Sequence, residues 1–119
     1  MNEERIRPVV WVGDSLKQVR GFPAAVRQDI GVALYDAQKG SKSPDAKPFK
    51  GVGRGVFEIV TRFDTDTYRT VYAVQIGERV YVLHAFQKKA KKGIKTPQHE
   101  IETIQRRYNR VLELEKETK

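Results

Sequence analysis

The chain has 119 residues, 39% of them hydrophobic, with 23 lysines and arginines against 15 acids, a formal charge of +8 and a pI near 9.8. It contains no cysteine, which excludes disulfides and thiolate metal sites, and no apolar run approaches the ~20 residues of a membrane span or offers a signal-peptide core. One domain over 1–119 with a modest core, a cytoplasmic location and phosphate-bearing or acidic partners are therefore expected.

In chain order, Arg7 to Val12 reads as a strand, carried by the β-propensity of Val9, Val10, Trp11 and Val12. Gly13-Asp14 ends it, and Asp14 is placed to cap a short helix through Arg20. Pro23 suits the first turn of a second helix, in which Phe22, Val26, Ile30, Ala33, Leu34 and Ala37 follow the helical period and Gly40 is the stop. Residues 40–55 read as a loop rich in Gly, Ser, Pro and Lys, with Lys42, Lys47, Lys50 and Arg54 against the single acid Asp45. Its Gly51-Val-Gly53-Arg-Gly55 run lacks the Gly-Lys-Ser/Thr ending and the strand-before-helix setting of a phosphate loop, and reads as a flexible lead into a strand.

Three strands are predicted next, at 56–63, 68–76 and 79–87, joined by the turn-like Asp64-Thr65-Asp66-Thr67 and Gly77-Glu78 into an antiparallel meander. The last strand runs into five lysines, Lys88, Lys89, Lys91, Lys92 and Lys95, with no acid between Glu78 and Glu100. Thr96 then caps a final helix with Pro97 at its first position and Ile101, Ile104, Tyr108, Val111 and Leu112 on one face. The order β-α-α-β-β-β-α predicts an α+β domain, an antiparallel-rich twisted sheet with helices packed mainly on one face.

Turn positions give a register. A turn centred between Thr65 and Asp66 sets Arg62 opposite Arg69, and a two-residue turn at Gly77-Glu78 sets Arg69 opposite Phe86 and Val71 opposite His84. One face then holds Phe57, Ile59, Tyr68, Tyr72, Tyr81 and Leu83; the other gathers Glu58, Arg62, Arg69, His84, Phe86 and Lys88. Like charges directly opposite on a sheet repel. An anion at that end relieves the repulsion, and so does pairing of the arginines with Glu58 or with the Asp64/Asp66 turn. A one-residue slip would separate the groups.

Two histidines on different elements and no carboxylate cluster give little for a metal site; no metal or cofactor is expected. No nucleophile elbow and no convincing carboxylate pair is present. Scission of RNA by its own 2′-OH fits the residues better, because the protein need only orient the attack, move protons and neutralise the phosphorane. Arg69, Arg62 and Lys88 are candidates for the charge and His84 for the proton; a satisfied strand histidine is the alternative for His84. Lys47, Lys50, Arg54, Lys89, Lys91 and Lys92 are candidates to hold RNA backbone, and Phe86 to stack on a splayed base.

The chain resembles the phage-derived HigB-like branch of the RelE/ParE toxin superfamily in Gly55-Val-Phe-Glu-Ile59, Tyr68-Arg-Thr-Val-Tyr72, Val80-Tyr-Val-Leu-His-Ala-Phe-Gln-Lys-Lys89 and Lys95-Thr-Pro97. The resemblance implies a RelE-like fold and a type II toxin of a toxin–antitoxin system, acting as a metal-independent endoribonuclease (an mRNA interferase) in the ribosomal A site. It implies ribosome and mRNA as targets, no membrane, and a cognate antitoxin, often a HigA-like helix-turn-helix protein. Arg69 matches the family's strand arginine, and Lys88 and Lys89 the basic end of its last strand. Val60 stands where many members have arginine, with Arg62 two residues on. Tyr108, on the apolar stripe of the last helix, reads as core. A non-catalytic nucleic-acid- or protein-binding module and a ParE-like inhibitor of DNA gyrase are the alternatives.

Overall fold

The computed structural model describes residues 5–89 and 95–117. Within them the order is β1 (Val9–Trp11), α1 (Ser15–Arg20), α2 (Ala24–Gln38), β2 (Ala46–Pro48), β3 (Val56–Phe63), β4 (Asp66–Ile76), β5 (Arg79–Lys88) and α3 (Gln98–Glu117). The strands form one sheet in the order β1-β5-β4-β3-β2, antiparallel except for the parallel β1–β5 pair. The α+β class and the predicted order hold, with one added strand. β2 was hidden in the loop because it is three residues long and ends in Pro48, a residue tolerated only at a sheet edge.

Helices cover both faces, α1 and α2 one and α3 the other, where packing mainly on one face was expected. The predicted stripe of α2 is buried as expected, and Val26, Ile30 and Leu34 pack with Ile59, Tyr68, Tyr72, Val80 and Val82. α3 lies across the opposite face, where Ile104, Tyr108 and Val111 pack on Val71, Ala73, Tyr81, Leu83 and Phe86. Each such fully buried aliphatic side chain is worth roughly 1.5–3 kcal/mol. Leu112, expected on the apolar face of α3, is instead 36% exposed. Asp14 makes no side-chain cap to α1; its carboxylate is drawn to Gln18 and to Arg107 of α3.

The β3–β4 turn corrects the predicted register. Phe63 pairs with Asp66, leaving Asp64 (φ 51°) and Thr65 (φ 71°) as the two loop residues. Positive φ at both is what a tight hairpin twist demands, and Asp accepts it readily. The pairing is therefore two residues away from the expected one: Arg62 faces Thr67, and Val60 faces Arg69. A shift of two keeps every β3 side chain on its predicted face.

β4 and β5 pair as expected at both ends, with Arg69 opposite Phe86, Val71 opposite His84 and Ile76 opposite Arg79. Between them lie two compensating irregularities, one at Leu83 on β5 and one before Ile76 on β4, where Gln75 has φ 69°. The extra residue puts Leu83 and His84 on the same side. Tyr81 and Leu83 thereby move to the α3 face, and Val82 takes the α2 face. Strict alternation had set Tyr81 and Leu83 with Phe57 and Ile59, and so Val82 on the face of Glu58 and His84.

Candidate functional site

The α3 face of the sheet is apolar at one end and ionisable at the other. Glu58, on β3, is 4% exposed, and its Oε1 accepts a 2.5 Å hydrogen bond from Arg69 Nη1 on β4. Lys47 Nζ, directly across from Glu58 on β2, stands 3.7 Å from the same oxygen. Lys88 is diagonal to Arg69 on β5 and 5% exposed. Its Nζ and the Arg69 Nε are both buried and without a hydrogen-bond partner among the described residues. Burial pushes the Lys88 ammonium below its ordinary pKa, the neighbouring Arg69 pushes the same way, and Glu58 opposes them.

His84 sits one row further along. Its Nε2 is 2.6 Å from Glu100 Oε1, in the first turn of α3, and its Nδ1 is 3.3 Å from Arg107 Nη1. An arginine nitrogen can only donate, so Nδ1 accepts and the Nε2–H donates to Glu100. Arg107 also donates to Leu83 O at 2.9 Å and to Asp14 Oδ1 at 2.8 Å. The Arg107 bond is the main cause that holds the Asp14 carboxyl below its usual range, followed by that of Gln18. Gly13 makes room for this guanidinium: at φ 57°, an added Cβ would lie 2.6 Å from Arg107 Cζ. The His84 ring stacks on Phe86 at 5.5 Å between centroids.

Two open grooves flank the cluster. One, of about 490 Å³, is lined by Lys47, Lys50, Glu58, Arg69, Lys95 and Gln98 among others. The second, of about 360 Å³, is lined by Phe86, Lys88, Lys89, Pro97, His99 and Glu100 among others. Arg69 borders the first and Lys88 the second, so the two cations stand along the divide.

Of the residues singled out from sequence, Arg69, His84, Phe86 and Lys88 share one end of one face, and Lys47, Lys50 and Lys89 rim the grooves. Arg62 does not join them. It is exposed at the hairpin end of β3 and lines a different cavity with Asp29 and Asp45, so the predicted clash with Arg69 is absent. Arg69 is paired by Glu58, the alternative resolution considered above. Arg54 is exposed and lines neither groove; its carbonyl accepts from the Tyr108 hydroxyl at 3.4 Å. Phe86 is 5% exposed and already stacked on His84, so its ring is not free for a base. Tyr108 is buried in the α3-face core, as expected. Lys91 and Lys92 lie outside the described residues. Glu100 and Arg107 were not singled out from sequence, and Asp14 was read only as a helix cap; the only signal was the seven-residue spacing of Glu100 and Arg107, which places both near one helix face.

Residues 17–109 match the family described as "Phage derived protein Gp49-like (DUF891)". No curated protein has a significantly similar sequence. Among solved structures, the chain is similar to one chain of the toxin–antitoxin complex RelBE2 from Mycobacterium tuberculosis, with 15% identity over 76% of this chain and 100% of that one and a TM-score of 0.49.

Proposed function

The chain belongs to the phage-derived Gp49-like family, and from that premise and its cationic strand end we propose that it is a toxin of a type II toxin–antitoxin system, of the RelE superfamily and its HigB-like branch. In this reading it is a cytoplasmic, ribosome-dependent mRNA endonuclease that is neutralised by a cognate antitoxin. The observation that carries the reading is the pair of buried cationic nitrogens, Arg69 Nε and Lys88 Nζ, without an acceptor among the described residues at one end of the sheet. A buried cationic N–H left without an acceptor is costly, even where, as in Arg69, the charge is partly met by a carboxylate, and fold stability alone gives no reason to collect two such nitrogens. A phosphodiester supplies the missing oxygens.

The chemistry is transesterification. The RNA 2′-oxygen bonds to the adjacent phosphorus, the bond from phosphorus to the 5′-oxygen breaks, and the products end in a 2′,3′-cyclic phosphate and a 5′-hydroxyl. One proton leaves the 2′-OH and one reaches the departing 5′-oxygen. Arg69 neutralises the charge that grows on the phosphoryl oxygens. Lys88, whose ammonium is made more acidic by burial and by Arg69, suits delivery of the proton to the leaving oxygen. His84 has both ring nitrogens engaged, so it takes part in proton transfer only through its bond to Glu100. Lys47, Lys50, Lys89 and Lys95 hold the backbone on either side.

The test is purified protein with ribosomes and a translated message, followed by mapping of the ends. Cuts inside the reading frame that leave cyclic phosphate are expected. Intact message would overturn the nuclease reading, and intact message with arrested DNA replication would point to gyrase. A second reading, a non-catalytic binding module, is favoured by one observation: Glu58 and Glu100 already occupy Arg69 and His84. Tight RNA or ribosome binding without cleavage would support it.

A further inference from the structure

The Arg69–Glu58 contact is unusual in what it leaves over. An arginine that serves only to close an ion pair commonly presents two parallel N–H groups to the carboxylate. Here one nitrogen, Nη1, is used, and the buried Nε has no acceptor among the described residues. The single carboxylate of Glu58 also faces Lys47, and it acts on Lys88 through space. Three cations thus look toward one buried anion, which neutralises only part of their charge.

We propose that Glu58 is a positioning residue: by holding Arg69 through Nη1, it keeps the Arg69 Nε–H aimed, together with the Lys88 ammonium, at one phosphate-type oxyanion. The proposal rests on the nuclease reading for its biological ligand, an RNA phosphodiester, but not for the existence of the anion site. The strands make the aim possible. Arg69 and Lys88 are diagonal neighbours on one face of the antiparallel β4–β5 pair, roughly 7–8 Å apart at the backbone, a span that long side chains close onto a single group. Glu58 lies on the adjacent strand, opposite Val71, so it reaches Arg69 from the side away from Lys88. An anion on the Lys88 side meets the unpaired Nε without displacing Glu58. The other groups bearing on Lys88 are Lys89 beside it and His99 and Glu100 of α3, which line the same groove. His84 is held by Glu100 and Arg107 and does not compete for the anion.

Inorganic phosphate is the probe, read by the ¹⁵N resonances of Arg69 Nε and Lys88 Nζ in the full chain. Saturable shifts of both signals are expected for the wild type. Glu58→Gln keeps the shape and removes the charge; phosphate should still bind at least as tightly, while the Arg69 Nε signal no longer responds in a defined way. If the protein cuts RNA, Glu58→Gln should lower kcat by about 10²-fold with little change in KM, the size of effect that misplacement of a reacting group produces. Its pH profile should move toward acid, because the Glu58 charge raises the Lys88 pKa. Glu58→Asp, which restores the charge on a shorter arm, should recover part of kcat and of the pH profile.

Wild-type Arg69 and Lys88 signals that ignore phosphate would overturn the anion site. Cleavage by Glu58→Gln at the wild-type rate and pH profile would overturn the positioning role while leaving the nuclease reading in place. Phosphate-responsive signals in a protein that never cuts RNA would retain the anion site and remove the nuclease reading. Should Glu58→Gln fail to fold, Glu58→Asp carries the same decision: wild-type stability with an unchanged kcat and an unchanged Arg69 response would sink the proposal.

Discussion

The two faces of the sheet are built from the same strands, yet they bury different chemistry. Beneath α1 and α2 the buried polar groups are neutral hydroxyls, those of Ser15, Thr61 and Thr70, set among Val26, Ile30, Tyr68 and Tyr72. Beneath α3 they are Glu58, His84 and Lys88, all ionisable, with Arg69 between them. A hydroxyl costs little to bury when it finds one acceptor, as Ser15 does with Val82 O at 3.1 Å and Thr61 with Asp29 at 2.5 Å; the Thr70 hydroxyl has no partner among the described residues, but it carries no charge. A charge demands a full set of partners, and Lys88 lacks them among the described residues. The first face is organised for stability, and the second gives some of it up at one end.

Substitutions test that contrast. The largest effect on stability is expected on the dry face: Ile30→Ala should cost about 2–5 kcal/mol in chemical denaturation, since Ile30 is 1% exposed and its neighbours cannot collapse around the gap. A loss below ~1 kcal/mol would mean the face is looser than its burial indicates. On the ionisable face, Arg69→Ala should leave a cooperatively folding protein and lower RNA cleavage by about 10²–10³-fold, by analogy with removal of an oxyanion donor. A folded variant with undiminished cleavage would remove Arg69 from the chemistry.

Lys88→Met should move the two properties in opposite directions. Replacing an uncompensated buried cation by an apolar chain of similar shape is expected to raise stability by about 1–4 kcal/mol at neutral pH, while cleavage falls. The sign with pH follows from the lowered Lys88 pKa. The unfolded chain binds the Lys88 proton more tightly than the folded one, so wild-type stability rises as pH climbs from the folded pKa toward the ordinary value of 10.5. The advantage of Lys88→Met should therefore shrink over that interval in pH-dependent denaturation, and an advantage constant with pH would assign it to packing. The smallest effect belongs to the rim. Lys47 is 62% exposed in its side chain, so Lys47→Ala should change stability by under ~1 kcal/mol and mainly flatten the salt dependence of RNA binding. An unchanged slope would leave Lys47 as a solvated edge charge.

The contrast between the faces also explains what could be read without coordinates. The stripe of α2, the meander, the stop at Gly40 and the run of charge after Phe86 depend on periodicity and turn chemistry over a few residues, and all were legible. So were the neighbours Arg69–Phe86 and Val71–His84, which survive because the two irregularities in β4–β5 cancel. Alternation failed between them, at Tyr81 to Leu83, where a local insertion reverses the faces and nothing in the side-chain types announces it. β2 failed for a related reason, being too short to show a period.

By itself the sequence determined the order of every element but β2, the excess of positive charge, and its concentration where β5 ends. Each of these follows from residue type and spacing. Only the tertiary structure decided how that charge is balanced. Arg69 meets Glu58 instead of Arg62 because the hairpin closes on Asp64-Thr65. His84 meets Glu100, 16 residues away, and Arg107 meets Asp14, 93 residues away, because α3 returns across the face opposite α2. Pairing between ionisable groups depends on distance in space, which local pattern does not encode until register and helix placement are set. The same packing that satisfies His84 and Arg107 leaves Lys88 buried and without a partner among the described residues.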